Sequence, residues 1–319
     1  MIRDDFWFNC SDGTKLFVRR WIPSGTPSAV VTIAHGMAEH TERYGCMAEK
    51  FNEAGIEIWA ADQRGHGKTA DLSVNNPGKG GLLGFCGDKN GFDRVTSDVS
   101  ELNSEIKKLK PGIPLFLFGH SWGSFISQNY IESKETEAID GCILSGSRGP
   151  DGIKLKAGSP VMNLLATLNG KRRKVPFART MADGPYNKPF RPNRTPFDWL
   201  SRDEAEVDKY INDPFCGFLC SVGFYSDMIK GLLKIHREEN MALINKDLPV
   251  YIFGGSDDPV GDMGASTTAL VNAYRSLGIQ DLEFVLYPGA RHETLNETNR
   301  EEVIENLIQW IKRHIKQKD

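Results

Sequence analysis

A serine between two glycines, where a predicted strand meets a predicted helix, is the residue best placed to act as a nucleophile. Residues 116–124 read FLFGHSWGS, an apolar run that leads directly into the pattern Gly-x-Ser-x-Gly centred on Ser121. In this context the pattern is typical of a nucleophile elbow, a tight turn that holds its serine in a strained backbone conformation. Ser121 then lies at the N-terminus of a helix, where backbone N–H groups and the helix dipole favour negative charge. The residues therefore predict nucleophilic chemistry in which an anion develops beside Ser121.

A serine hydroxyl needs a base within hydrogen-bond reach, and the base needs a carboxylate that orients it. In proteins with such an elbow, the carboxylate and then the histidine follow the serine in chain order. The predicted strand at 282–287 ends in PGARHE, which makes His292 the candidate general base and acid. The predicted strand at 249–253 ends in GGSDDPV, and position alone leaves Asp257 and Asp258 both open as the orienting carboxylate.

Other histidines fit the position of the base less well. His35 and His40 precede the serine, and His236 and His314 lie in helical patterns. His120 is expected to point away from the nucleophile side of the elbow. Strand end, chain order and spacing therefore all favour the histidine that follows the last predicted strand.

The anion of a tetrahedral intermediate needs two N–H donors. One is expected from Trp122, the residue after the nucleophile, and the other from the loop after the predicted strand at 29–34. That loop reads HGMAEH, and a glycine beside the donor lets the backbone turn toward the site, which favours the Met37 N–H. Both donors are main-chain groups, so the Met37 and Trp122 side chains act only by shaping the pocket.

Apolar, β-rich runs alternate with helical patterns over most of the chain, which predicts an α/β protein with a mainly parallel sheet covered on both faces. The alternation stops between residues 148 and 246, a region rich in proline and aromatic residues. This stretch is far longer than the ~4–6 residues of an ordinary connection. We therefore predict a core formed by residues 1–147 and 247–319, and an inserted, mostly helical cap, or lid, at 148–246.

Composition excludes several classes of protein. With 319 residues, 39% apolar content and a formal net charge of −3, the chain can bury a substantial core and has no electrostatic reason to bind nucleic acid. Residues 1–7 lack a signal-peptide pattern, and no apolar run approaches the ~18 residues of a spanning helix. The six cysteines form no C-x-x-C pair, which predicts reduced thiols and a cytoplasmic location. No Cys/His group has the sequence spacing of metal ligands, so neither a metal nor another cofactor is expected.

Several conspicuous residues have simple structural interpretations. Glu39 and Arg43 have i, i+4 spacing, which favours an ion pair at the surface or at a helix start. The loop at 62–67, DQRGHG, is expected to build a turn, and the basic run at 171–174, KRRK, is typical of a solvated face. The aromatic residues of the cap either form its own core or line an acyl pocket, and the sequence leaves both open; they are Phe177, Phe190, Phe197, Trp199, Phe215, Phe218, Phe224 and Tyr225.

Three motifs together carry a resemblance to a known family: HGMAEH at 35–40 followed by Arg43-Tyr44, DQRGHG at 62–67, and GHSWG at 119–123. They look like the motifs of the monoacylglycerol lipase/lysophospholipase branch of the α/β-hydrolase superfamily, and the stretches at 197–203 and 213–218 resemble those of its bacterial-type members. The resemblance implies an α/β-hydrolase fold with an about eight-stranded sheet and an inserted helical cap. It also implies a catalytic acid in the pattern Gly-x-x-Asp-x-Val, which residues 255–260 match with Asp258.

The chain is therefore predicted to be a metal-independent serine esterase or lipase that cleaves a small-molecule or lipid carboxylic ester. Ser121, Asp258 and His292 form the predicted triad, and the Met37 and Trp122 N–H groups form the predicted oxyanion hole. The family often has Met where this chain has Trp122, and a small residue where it has Met37. Both side chains are bulky and are expected beside the acyl position, which favours small acyl groups. A membrane surface is a further candidate partner, with which the cap would make peripheral contact.

Two other interpretations stay open. A peptidase or amidase of the same fold would need cap carboxylates such as Glu204, Glu206 and Asp208 to hold a substrate amine, although helical surface charge also explains these residues. A non-catalytic binding protein would need a closed cap or a displaced His292. Haloalkane dehalogenase and epoxide hydrolase chemistry is disfavoured, because both use Asp where this chain has Ser121.

Overall fold

Eight strands form one sheet in the computed structural model, which describes residues 2–133, 138–150 and 152–315. Residues 1, 134–137, 151 and 316–319 of the predicted core and cap lie outside the described residues. The strands are β1 Ile2–Asn9, β2 Lys15–Ile22, β3 Ala29–Ala34, β4 Ile56–Ala61, β5 Leu115–His120, β6 Gly141–Ser145, β7 Val250–Gly255 and β8 Leu282–Tyr287. Their order across the sheet is β1-β2-β4-β3-β5-β6-β7-β8.

The sheet is mainly parallel, as predicted. β1 and β2 form an antiparallel hairpin and β2 pairs antiparallel with β4, whereas the pairs from β4 to β8 are parallel. Every residue of β3, β4, β5, β6 and β7 is buried. A parallel sheet covered on both faces produces such continuous apolar strands, which is why their positions could be predicted closely.

Helices cover both faces of the sheet. The helices outside the segment 148–246 are α1 Gly45–Glu53, α2 Gly91–Leu109, α3 Trp122–Ile131, α9 Ala265–Ser276 and α10 Arg300–His314. Side chains of α1 and α10 pack in one buried cluster with β3, β4 and β7. Side chains of α2, α3 and α9 pack in a second cluster against the opposite face. The two clusters hold the sheet rigid, so its carboxyl ends can position loops accurately.

The segment between β6 and β7 is mostly helical. It contains α4 Gly152–Asn169, α5 Pro176–Ala182, α6 Glu204–Asn212, α7 Val222–Ile235 and α8 Glu238–Met241. Its apolar side chains share a third buried cluster with Trp122 and Phe125 at the start of α3. The segment therefore lies over the end of the sheet where β5 passes into α3.

In the described part of the chain, no helix combines the length and the apolarity that crossing a membrane requires. The six cysteines are free thiols, of which Cys46 is exposed and the other five are buried.

Candidate active site

Ser121 occupies the turn between β5 and α3 with a backbone conformation that non-glycine residues rarely adopt, φ 52° and ψ −118°. Two glycines make the turn sterically feasible. A Cβ at Gly123 would overlap the carbonyl oxygen of Ala34 in β3, and a Cβ at Gly119 would overlap the carbonyl oxygen of Gly123. The helix therefore packs directly on the strands, and Ser121 is raised at the N-terminus of α3 as the sequence predicts.

Asp258 and His292 meet although they come from the loops after β7 and β8. The His292 Nδ1 lies 3.0 Å from both carboxylate oxygens of Asp258, and both side chains are buried. The Val260 N–H donates a hydrogen bond of 2.8 Å to Asp258 Oδ1, which fixes the carboxylate from its own loop. Asp257 is exposed and accepts a hydrogen bond from Ser256 Oγ. Burial thus separates the two adjacent carboxylates, and Asp258 is the one that contacts the imidazole.

The environment of His292 favours its protonated form. Burial alone would lower the pKa of the ring, but the charge and hydrogen bond of Asp258 outweigh it and raise the pKa above its usual value. Because Asp258 binds Nδ1, the opposite ring nitrogen, Nε2, is left to face the reacting groups. The pair can therefore accept a proton at Nε2 and stabilise the imidazolium that results.

Ser121 and His292 line one small cavity together with Met37. Among the hydrogen bonds of the described residues, none uses the backbone N–H of Met37 or of Trp122. Ala38, which follows Met37, has a positive φ of 53°, so the loop after β3 turns sharply beside the cavity. Two unengaged amides next to a serine hydroxyl are the elements of an oxyanion hole.

The position of His120 is a correction to the prediction from the sequence. Its ring does not point away from the site but lies against His292, with ring centroids 4.9 Å apart, and it lines the same cavity as Ser121. Its Nδ1 lies 3.2 Å from Ser145 Oγ, and burial lowers its pKa to about 4, so the ring is neutral near pH 7. The position of a residue along one strand does not determine which loops fold over the end of that strand.

Gly146 is a site residue that the sequence analysis missed. It has a positive φ of 56°, and a Cβ there would lie 3.0 Å from His292 Cε1 and 3.1 Å from His292 Nδ1. Glycine is therefore needed for the close approach of the loop after β8. The one feature of the sequence that could have indicated it is its position directly after β6, the strand that pairs with β5.

A buried ion network supports the loop after β3. Glu39 accepts hydrogen bonds from the Gly36 N–H, the Tyr44 hydroxyl and Arg43 Nη1. Arg43 also donates to both carboxylate oxygens of Glu293 at 2.7 and 2.6 Å. The Glu39–Arg43 ion pair forms at the start of the helical turn before α1, one of the two places expected, with the Glu39 and Arg43 side chains 4% and 12% exposed. Its function is to tie the loop that carries Met37 to the loop that carries His292.

A second, larger cavity of about 500 Å³ opens beside Ser121. Its walls are mostly apolar, and five of the eight methionines of the chain line it: Met37, Met162, Met181, Met228 and Met263. The Trp122 indole does not fill this space, because its Nε1 donates to Gln63 Oε1 at 2.8 Å and its ring packs against Phe92 and Phe224. The expectation that bulk at Met37 and Trp122 restricts the site to small acyl groups is therefore not supported by the volume.

The eight aromatic residues named from the sequence divide into distinct groups. Trp199 lines both cavities, and three more of the eight line the small one: Phe197, Phe218 and Tyr225. Phe224 is buried against Trp122, whereas Phe177 and Phe215 are exposed and Phe190 stacks on Arg291. Part of this set therefore forms the wall of the site, and part only packs the segment itself.

The three carboxylates named for the peptidase interpretation, Glu204, Glu206 and Asp208, do not line either cavity. Glu204 and Asp208 pair with Arg194 at 3.7 and 2.7 Å, and Glu206 pairs with Lys209 at 2.7 Å. Such ion pairs are typical of a solvated helix surface. These three carboxylates therefore supply no amine-binding group to the site.

Tertiary contacts assemble one mixed group of polar side chains near the loop after β3. His40 Nε2 lies 2.8 Å from Asp213 Oδ2, and Cys216 Sγ is within 4.8 Å of both ligand atoms. Burial raises the pKa of the Cys216 thiol, so it retains the proton that a metal would have to displace. The His40–Asp213 hydrogen bond is sufficient to explain why these residues lie together.

The sheet order, the strained serine turn and the histidine–carboxylate pair after the last two strands define an α/β-hydrolase. The chain belongs to the family described as serine aminopeptidase, S33, whose model matches residues 25–299.

Similar proteins cover nearly the whole chain. It is 26% identical over 323 residues to the monoacylglycerol lipase of Mycolicibacterium smegmatis, covering 98% of each protein. The crystal structure of a carboxyl esterase from Bacillus coagulans has a TM-score of 0.89 and 29% identity, covering 99% of this chain and 100% of that one. An uncharacterized abhydrolase domain-containing protein of Dictyostelium discoideum is 26% identical over 310 residues. That similarity covers 96% of this chain and 28% of the relative. The predicted fold, family resemblance and enzyme class, a carboxylic-ester hydrolase, are confirmed.

Proposed function

We propose that the protein hydrolyses carboxylic esters through a covalent acyl-enzyme formed on Ser121. The observation that carries this proposal is the convergence of three separate loops at one cavity. Ser121 sits in a strained turn, His292 lines the same cavity, and His292 is bonded on its far side to buried Asp258. A serine, a histidine and an orienting carboxylate in this arrangement are the elements of nucleophilic acyl transfer.

In the first half-reaction, Ser121 Oγ attacks the ester carbonyl carbon while His292 Nε2 takes the hydroxyl proton. The N–H groups of Met37 and Trp122 bind the oxyanion, and each such donor stabilises a transition state by ~2.7–4 kcal/mol. Asp258 holds the imidazole in the required tautomer and stabilises its positive charge. The imidazolium then protonates the leaving alcohol, and the acyl group stays on Ser121.

In the second half-reaction, His292 removes a proton from water, which attacks the acyl carbonyl. Collapse of this intermediate releases the carboxylic acid and returns the proton to Ser121. The reaction is balanced by one water molecule per ester and requires no redox partner.

The substrate class follows from the larger cavity. Its volume of about 500 Å³ lies in the range of ligand-binding pockets, and its apolar wall begins at Ser121. An apolar acyl chain of a monoacylglycerol, a lysophospholipid or a shorter ester suits this space. The similarity to a monoacylglycerol lipase and a carboxyl esterase supports the same class.

The segment 148–246 is proposed to act as a cap, or lid, over a hydrolase core formed by residues 1–147 and 247–319. One face of α4 exposes Leu164 and Leu168, at 58% and 74%, and Phe177 on α5 is 56% exposed. The basic run 171–174 follows α4 directly, so apolar and cationic groups adjoin. Such a surface suits peripheral contact with an anionic lipid layer. The six free thiols suit a reducing compartment such as the cytoplasm.

The test is hydrolysis of p-nitrophenyl esters from acetate to palmitate, and of a monoacylglycerol, by the wild type and by Ser121→Ala. Ser276→Ala is the matched control, because Ser276 is exposed at the end of α9. Turnover that falls by about a thousandfold or more in Ser121→Ala alone supports the proposal. Equal turnover by Ser121→Ala and the wild type would refute it. Faster cleavage of amino-acyl p-nitroanilides than of any ester would favour the peptidase alternative.

A further inference from the structure

We propose that Trp199 is a positioning residue for the base, and that its indole stabilises the imidazolium form of His292 during proton transfer. This inference rests on the proposed function, because it assigns a partner to the histidine that the reaction uses. Trp199 belongs to the proposed cap, so it would make part of the cap a component of the catalytic machinery and not only a cover.

Two aromatic rings contact the imidazole of His292. One is His120, with ring centroids 4.9 Å apart and an interplanar angle of 42°. The other is Trp199, with centroids 5.1 Å apart and an angle of 36°. A cation within about 6 Å of the centroid of an indole ring is attracted by the negative charge density of its face. Trp199 and His292 are 9% and 2% exposed, so water screens this attraction weakly.

The chain around Trp199 is fastened to the histidine loop. The His292 N–H donates to the carbonyl of Trp199, and the Glu293 N–H donates to the carbonyl of Leu200 at 2.7 Å. Arg291 Nη1 donates to the carbonyls of Asp198 and Ser201. These bonds join the two loops residue by residue, so the indole stays on the imidazole when other parts of the cap move.

A second fastening comes from within the cap. The Trp199 N–H donates to Asn187 Oδ1 at 2.9 Å, and the indole packs against the ring of Tyr186 at 5.1 Å. The orientation of the indole is thus determined from both sides. A residue that served only as a flexible cavity wall would not need this many restraints.

The groups around His292 differ in how they stabilise the imidazolium, and the indole acts through its π face. Asp258 attracts the imidazolium at the Nδ1 edge of the ring. His120 and Trp199 are the two aromatic rings against His292 in the described structure, and of the aromatic side chains an indole attracts a cation most strongly. The titratable and charged groups that face the ring or share its cavity are Asp258, His120, Glu39, Glu293, Arg179, Asp183, Tyr210 and Tyr225.

The test compares Trp199→Leu with Trp199→Phe in the full-length protein. Leucine keeps an apolar group on the imidazole but has no π face, whereas phenylalanine keeps a weaker one. Phe215→Leu is the matched control, because Phe215 packs edge-to-face against a different histidine, His40, and lines neither cavity.

We expect kcat for a short p-nitrophenyl ester to fall by about fivefold to thirtyfold in Trp199→Leu and by less in Trp199→Phe. This fold-change corresponds to a cation–π interaction of about 1–2 kcal/mol. The same lost interaction lowers the pKa of His292, so the acid limb of the pH profile should move to lower pH by about 0.7 to 1.5 units. An altered KM with an unmoved acid limb would overturn the proposal and leave Trp199 as a cavity wall.

A titration of the His292 ring by NMR reads the same interaction without any substrate. A lower pKa in Trp199→Leu than in the wild type supports the proposal, and an equal or higher pKa overturns it. Because this readout needs no turnover, a wild type that fails to cleave esters would refute the proposed function separately. Where Trp199→Leu does not fold, Trp199→Phe carries both measurements with the same expected direction.

Discussion

Replacing Arg43 by methionine tests the buried network that joins the two loops of the site. The Arg43 side chain is 12% exposed and donates three hydrogen bonds of 2.6–2.7 Å to Glu39 and Glu293, whose side chains are 4% and 7% exposed. Methionine fills a similar volume but leaves two buried carboxylates without their cation. Breaking a buried pair in this way destabilises a protein by about 3–5 kcal/mol. We expect a loss of this size in the free energy of unfolding measured with urea.

The activity of Arg43→Met should fall as well. Glu39 accepts the Gly36 N–H immediately before Met37, and Glu293 immediately follows His292. Displacing either loop by a fraction of an ångström misaligns the groups proposed to act on the ester, and we expect kcat/KM to drop by about tenfold to hundredfold. The assay is hydrolysis of p-nitrophenyl butyrate at pH 8.

Arg313 provides a matched control for this prediction. It also contacts both oxygens of a glutamate, Glu283, at 2.8 Å, but the two side chains are 54% and 42% exposed. Arg313→Met should therefore cost less than about 1 kcal/mol. Adding Glu293→Gln to Arg43→Met should recover part of the stability, because a neutral amide tolerates burial better than a carboxylate. Equal, small losses in both arginine variants would refute the reasoning from burial.

Three further predictions concern the residues of the proposed triad. Asp258→Asn should lower kcat by about 10⁴-fold, whereas Asp257→Asn should change it by less than about threefold; similar losses in both would show that the wrong carboxylate was assigned. Gly146→Ala should destabilise the protein by about 1–3 kcal/mol and reduce kcat, since it places a Cβ 3.0 Å from His292 at a positive φ; a urea midpoint equal to that of the wild type would argue against it. Because Asp258 raises the pKa of His292, the neutral base is lost as pH falls through a value above about 6.5, and a kcat/KM profile flat down to pH 5 would contradict this role.

Patterns within about ten residues were sufficient to predict the elements. Strands β3 and β4 begin and end where their mainly apolar runs do, because a strand buried on both faces carries few polar residues. The elbow could be read for a similar reason, since the Gly-x-Ser-x-Gly pattern requires small residues at fixed offsets from Ser121. Chain order and strand ends then pointed to His292 and to an Asp-Asp pair.

Contacts between loops that are distant in sequence could not be predicted from such local patterns. The orientation of His120 was predicted wrongly, because it depends on the loop after β8, about 170 residues further along the chain. The i, i+4 spacing predicts the Glu39–Arg43 pair at the surface or at a helix start, but not its contact with Glu293, which lies 250 residues from Arg43. His40 lies 173 residues before Asp213 and meets it and Cys216 only in the folded chain.

Local patterns specify the strands, the helices of the predicted core, the serine turn and the residue types that follow each strand, because these depend on local sterics and on the period of apolar residues. Only the folded chain shows which of two adjacent aspartates contacts His292, that Trp199 and His120 contact the imidazole, and that a large cavity remains beside Trp122. These features depend on the order of the strands in the sheet and on how loops from separate strands pack over its end. Such packing brings together side chains whose separation along the chain carries no information about their distance in space.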